Sequence, residues 1–156
     1  MEVEIREAED GELALVTGFL RRMMEEMAAF GGPPVASAEA AWTELAETIA
    51  QERREGELAC FLACRDCTPL GMVAAHVVEV GGVLAPKRTL HVSAVYVVPS
   101  SRRQGLARRL LNVALDWGRA AGCVEADLHA LVHNPARALY EELGFATVES
   151  KMVRPL

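Results

Sequence analysis

Several familiar kinds of site are missing from this chain. Its 156 residues contain no G-x-x-x-x-G-K-[ST] and no G-x-G-x-x-G, so neither a Walker loop nor a dinucleotide fingerprint is present. A formal net charge of -6 argues against nonspecific binding to nucleic acid or an anionic membrane. No apolar run reaches the ~20 residues of a membrane helix, and Met1 to Ile5 is acidic where a leader would be basic. A cytoplasmic protein with no membrane or nucleic-acid partner is expected. Cysteine is scarce: Cys60, Cys64, Cys67 and Cys123. Cys64-x-x-Cys67 has metal-ligand spacing, but no second C-x-x-C accompanies it. Buried small hydrophobes, with Cys67 at a turn and no metal, are the expectation. Aromatic residues make up 5% of the chain, which gives no support to a peptide-sized acceptor groove.

What the chain has is the composition of one globular domain spanning 1–156, with 51% hydrophobic and 24% charged residues. That length suffices to bury about 70% of the unfolded surface. Val3 to Arg6 alternates as a strand, and Asp10 is placed to cap a helix reaching about Phe30. After Gly31-Gly32-Pro33-Pro34, a second helix follows over Glu39 to Gln51. Leu58 to Cys64 and Pro69 to Val80 form a hairpin through Arg65-Asp66-Cys67-Thr68. Cys123 to Leu131 reads as a strand, and Asn134-Pro135 as the start of a short helix ending at Gly144. Phe145 to Glu149 and Met152 to Pro155 read as a final hairpin. The order β-α-α-β-β-β-α-β-α-β-β gives an α/β (α+β) domain. Its sheet is mixed, mostly antiparallel, with about six to seven strands flanked by about four helices.

The chain is organised around Leu90 to Trp117. Leu90 to Pro99 is a strand rich in β-branched residues, stopped by a proline. Leu106, Leu110, Val113 and Trp117 form the apolar stripe of a helix. Between them, a turn carries Arg102, Arg103, Gln104 and Gly105. A helix that starts in a small-residue turn aims unsatisfied backbone NH groups and the positive end of its dipole at the same place. That is a phosphate seat. Gly105 and Ala107 leave it open, and Arg102, Arg103, Arg108 and Arg109 surround it. No acid lies between Tyr96 and Asn112.

Arg102-Arg103-Gln104-Gly105-Leu106-Ala107 matches the turn [QR]-x-x-G-x-[GA], with Val97-Val98-Pro99 before it. In these residues the sequence resembles the GNAT superfamily of acetyl-CoA-dependent N-acyltransferases. A second stretch, Asn134 to Phe145, resembles the family's N-x-x-A-x-x-L-Y-x-x-x-G-F, with Asn134 one residue nearer Tyr140 than in the commonest spacing. The resemblance covers nearly the whole chain and implies acetyl-CoA as co-substrate. It places the pyrophosphate on the turn from Arg102 to Arg108, which includes Leu106. It gives the backbone near Val97 and Val98 the pantetheine arm, and Asn134 a further cofactor contact.

The resemblance also gives Tyr140 the role of general acid. A phenol of pKa about 10 can protonate a thiolate whose thiol has pKa about 8.5. His91, on the central strand near where some family members carry a carboxylate base, is the candidate base, with Ser93 as a water relay. Glu25, Glu26 and His133 are further candidates. The implied reaction is direct acetyl transfer to the primary amine of a small molecule, or of a peptide or protein. The alternative is a non-catalytic acyl-CoA-binding or sensory module. A homodimer through the final strands is also expected.

Overall fold

The computed structural model describes residues 2–156; Met1 lies outside them. Five strands form one sheet: β1 (Glu4–Glu7), β2 (Leu58–Arg65), β3 (Thr68–Val80), β4 (Lys87–Val97) and β5 (Glu125–Leu128). They lie in sequence order across the sheet. The first three joints are antiparallel and the last, β4 to β5, is parallel. The helices are α1 (Leu13–Ala28), α2 (Glu39–Arg54), α3 (Leu106–Ala120) and α4 (Arg137–Glu142). The parallel joint requires a crossover, and α3 supplies it.

Each face of the sheet has its own core. On one face α3 buries Leu106, Leu110, Leu111 and Ala114 against Val73, Leu90 and Val92. At Gly118 the helix comes so close that a Cβ would stand 2.7 Å from Leu90 Cδ2. On the other face Val16 and Phe19 of α1 and Ile49 of α2 cover Cys60, Leu62, Met72, Ala94 and Tyr96. Fully burying one such leucine contributes about 1.5–3 kcal/mol, which makes the helical stripes the main cohesive element.

Several boundaries differ from expectation for local reasons. Asp10 does not cap α1: it opens a 3-10 turn over Asp10–Glu12, and the Glu12 carboxylate accepts the Glu9 amide at 2.8 Å. The hairpin turn holds Asp66 and Cys67 at φ 48° and 61°, the geometry of a two-residue primed turn. Cys67 is exposed there, whereas Cys60 and Cys64 are buried, and all four cysteines are free.

The sheet has five strands, not six to seven. Residues 146–156 carry no strand pairing, and Val148, Met152, Val153 and Leu156 stand exposed. A lone hairpin is marginal in water, and β5, the edge it would extend, is only four residues long. Phe145 still packs on the core, its ring 6.3 Å from that of Tyr140.

One irregularity positions the site. The β3–β4 register slips between Ala74 and Ala75, so that Ala94 faces Ala74, Val92 faces Ala75, and Ser93 is the extra residue of a bulge. Ser93 Oγ donates to the Ala74 carbonyl at 3.2 Å. At this same level β5 leaves β4: their last paired residues are Val92 and Leu128.

Candidate active site

Beyond Val92 nothing pairs with the outer edge of β4, and the wedge left by the departing β5 is a cavity of about 740 Å³. Its walls include Val95 and Val97 from β4 and Leu128, His129 and Leu131 from β5 and the segment after it. The turn into α3 forms its foot, α4 supplies Tyr140, and α1 closes it with Met23, Glu26 and Met27.

The foot is built as the local sequence predicts. Gly105 precedes α3 at φ 76°, a conformation that favours glycine, and a Cβ there would meet nothing within 4 Å. Arg103 also takes a positive φ, 62°. The first helical bond runs from the Arg109 amide to the Gly105 carbonyl at 3.1 Å, which leaves the amides of Leu106, Ala107 and Arg108 ahead of the ladder. A diphosphate fits this open, left-handed turn with donors ahead of it.

The four arginines around the turn are not equivalent. Arg102 turns away: its guanidinium donates twice to the Glu26 carboxylate at 2.8 Å and through Nε to the Val97 carbonyl at 2.8 Å. It also lies 5.5 Å from the centroid of the Tyr96 ring, and the Tyr96 hydroxyl donates to Glu26 at 3.3 Å. Arg102 is thus a strut between α1 and the turn. At this exposure its ion pair contributes about 1 kcal/mol or less. Arg108 pairs with Glu142 across the cavity, and Arg109 donates to the Val3 carbonyl at 2.7 Å. Among the described residues Arg103 forms no salt bridge and is the cation left free at the turn. Gln104 does not line the cavity; its side-chain oxygen lies 3.5 Å from Arg65 Nη2.

Val97 lines the cavity. Val98 does not: its amide donates to the Leu70 carbonyl at 2.8 Å. Tyr140 is buried at 8% exposure and borders the cavity, and burial pushes its phenol above the ordinary value. It is therefore held protonated. α4 starts two residues later than Asn134-Pro135 suggests, because Asn134 Oδ1 accepts the Ala136 amide at 2.9 Å and forms a turn ahead of the helix. Asn134 Nδ2 reaches Met27 Sδ at 3.6 Å, tying this turn to α1.

The candidate bases separate. His91 is not on the cavity wall; its Nδ1 lies 2.5 Å from Asp127 Oδ1. His129, two residues along from Asp127, is on that wall. Glu26 is engaged by Arg102, Glu25 pairs with Arg21 at 3.4 Å, and His133 does not border the cavity. Sequence reasoning missed Asp127 and His129. Their signal was two polar residues at alternate positions of a predicted strand, hence on one face.

A sheet that parts beside a glycine turn, with a buried phenol in the opening, defines a protein built to hold an acyl thioester against an acceptor. The chain belongs to the Acetyltransferase (GNAT) family, whose model matches residues 21–145, and it is an acyltransferase. Its fold is similar to that of aminoglycoside N-acetyltransferase AAC(6')-Iy in complex with CoA. That similarity has 20% identity and a TM-score of 0.78 over 99% of this chain and 95% of that one. The same enzyme with the bisubstrate analogue CoA-S-monomethyl-acetylneamine matches at 22% identity and TM-score 0.76, over 100% and 99% of the two chains. A predicted acetyltransferase from Clostridium acetobutylicum with acetyl-CoA matches at 17% identity and TM-score 0.81, over 99% and 96%. No curated protein matched the sequence. No helix among the described residues is long and apolar enough to cross a membrane.

Proposed function

We propose that the protein transfers the acetyl group of acetyl-CoA directly to the primary amine of a small molecule. The observation that carries this reading is the single cavity that joins the open Gly105 turn to the buried Tyr140 phenol through the gap between β4 and β5. Acetyl-CoA, when bound, supplies an acetyl group activated as a thioester. The amides of Leu106, Ala107 and Arg108, with Arg103, hold the pyrophosphate. The free edge of β4 from Ser93 to Val97 holds the pantetheine arm, and Tyr140 protonates the departing sulfur. Solved neighbours that carry CoA, and one that carries a CoA–aminoglycoside conjugate, support a small-molecule acceptor. The cavity wall on the α1 side sets Met23, Met27 and Phe30 around Glu26.

Free cysteines are in keeping with a cytoplasmic location. The exposed Val148, Met152, Val153 and Leu156 of the segment without strand pairing and the short β5 edge support pairing with a second copy, which light scattering after gel filtration reads directly as a doubled mass. The function is tested by calorimetry with acetyl-CoA and by CoA release against a panel of arylalkylamines, polyamines, aminoglycosides and short peptides. Cofactor binding with amine-dependent release is expected. Binding without release to any amine favours the sensory module, and no binding overturns the reading of the turn.

A further inference from the structure

Three histidines, two on strands and one just past a third, lie in a row on the α1/α2 face of the sheet. His76 of β3 stands opposite His91 of β4 with ring centroids 5.1 Å apart, and His91 stands 5.1 Å from His129, just past β5. Asp127 is the register partner of His91 in the parallel joint, and its carboxylate takes the His91 Nδ1 contact at 2.5 Å. His129 follows the last pair of that joint, at the point where the strands separate, which places it on the cavity wall. The row therefore runs from the cavity into the sheet, with a carboxylate on its middle member.

We infer that His129 takes the proton from the incoming ammonium, and that His91 and Asp127 behind it are positioning residues that carry the charge away from the cavity. This rests on the N-acetyltransferase reading above. With Nδ1 donating to Asp127, His91 presents Nε2 as an acceptor. His76 is the far end of the row: burial first, and then His91, hold it below the ordinary histidine value, which keeps it neutral. The charges that face the row are Glu52 of α2, felt at His76, and Asp127. Across the cavity stand Glu26 with Arg102, Arg108 with Glu142, and Arg103.

The proton balance closes. A primary amine of pKa about 10 arrives as an ammonium and gives one proton to His129. Its freed lone pair attacks the thioester carbon; the C–N bond forms and the C–S bond breaks, with the sulfur keeping the electron pair. Tyr140 protonates that sulfur and recovers a proton from the second N–H of the attacking nitrogen. The first proton leaves the histidine row for solvent. Ammonium and thioester become amide, thiol and one released proton.

The test uses the full chain and the amine in the panel that releases CoA fastest. His129→Gln is expected to lower kcat/KM about 100-fold, to leave CoA affinity unchanged in calorimetry, and to abolish the acid limb of the pH profile. Asp127→Asn is expected to alter that limb, and Asp127→Glu to restore it. A wild-type rate and acid limb in His129→Gln overturn the inference. So does an acid limb that vanishes in His91→Gln but survives in His129→Gln. Failure of the wild type to bind CoA overturns the underlying acetyltransferase reading instead, and the relay with it. Should CoA bind while no amine turns over, imidazole NMR in the CoA complex decides. Asp127→Asn is expected to move the imidazole resonances of both His91 and His129, and an unmoved His129 overturns the relay.

Discussion

The turn at the foot of the cavity and the histidine row at its head are assembled in opposite ways. The turn is one continuous stretch, Arg102 to Arg108, whose shape follows from a glycine, one further residue at positive φ and a helix start. The histidine row draws on residues 76, 91, 127 and 129, brought together only by the register of β3, β4 and β5. A local device tolerates changes elsewhere in the fold but not within itself. A device held by register tolerates change at each member better, and fails when strand pairing moves.

Substitutions can break or sharpen that contrast. The largest effect is expected from Gly105→Glu, which puts a strained residue and a negative charge into the turn; CoA affinity in calorimetry should fall by more than 100-fold, while the thermal transition persists. Tyr140→Phe should come next, with kcat about 100-fold lower and CoA affinity unchanged. Equal turnover at saturation would remove the phenol from the acid role. Arg103→Gln should weaken CoA about tenfold and flatten the salt dependence of binding, as expected for the free cation at the turn. Arg108→Gln should change affinity less than threefold, because that guanidinium is already committed to Glu142. If Arg108→Gln cost more than Arg103→Gln, the order drawn here among the arginines would be reversed.

The same contrast explains what could be read from the sequence. The α3 turn, the hairpin at Asp66-Cys67 and the apolar stripes of α1 and α3 are set by neighbours a few residues away, and their patterns are visible in the chain. The five strands were legible from alternation, from hairpin spacing and from β-branched content. The last two were not, because alternation over 145–153 says nothing about whether a sheet edge is available to receive it. Arg102 looked like a phosphate ligand because it begins the turn motif. Its partner Glu26 lies 76 residues away, and no local pattern announces that pairing. His91 drew attention as a histidine on the central strand, whereas the histidine on the cavity wall follows β5. The distinction depends on where two parallel strands part.

The bulge at Ser93 also fixes the odd and even numbering of the central strand. Leu90 and Val92 before it, and Val95 and Val97 after it, all serve the α3 core, while Ala94 and Tyr96 serve the α1 core. Were Ser93 drawn into regular alternation instead of bulging, those assignments would be exchanged beyond position 92, turning the Tyr96 ring toward α3 and Val95 toward α1. Substituting Ser93 therefore costs one side-chain hydrogen bond, whereas flattening the bulge with Ser93 still in the strand would rewrite both cores at once. For this strand, the bulge is a stricter constraint than the identity of the residue in it.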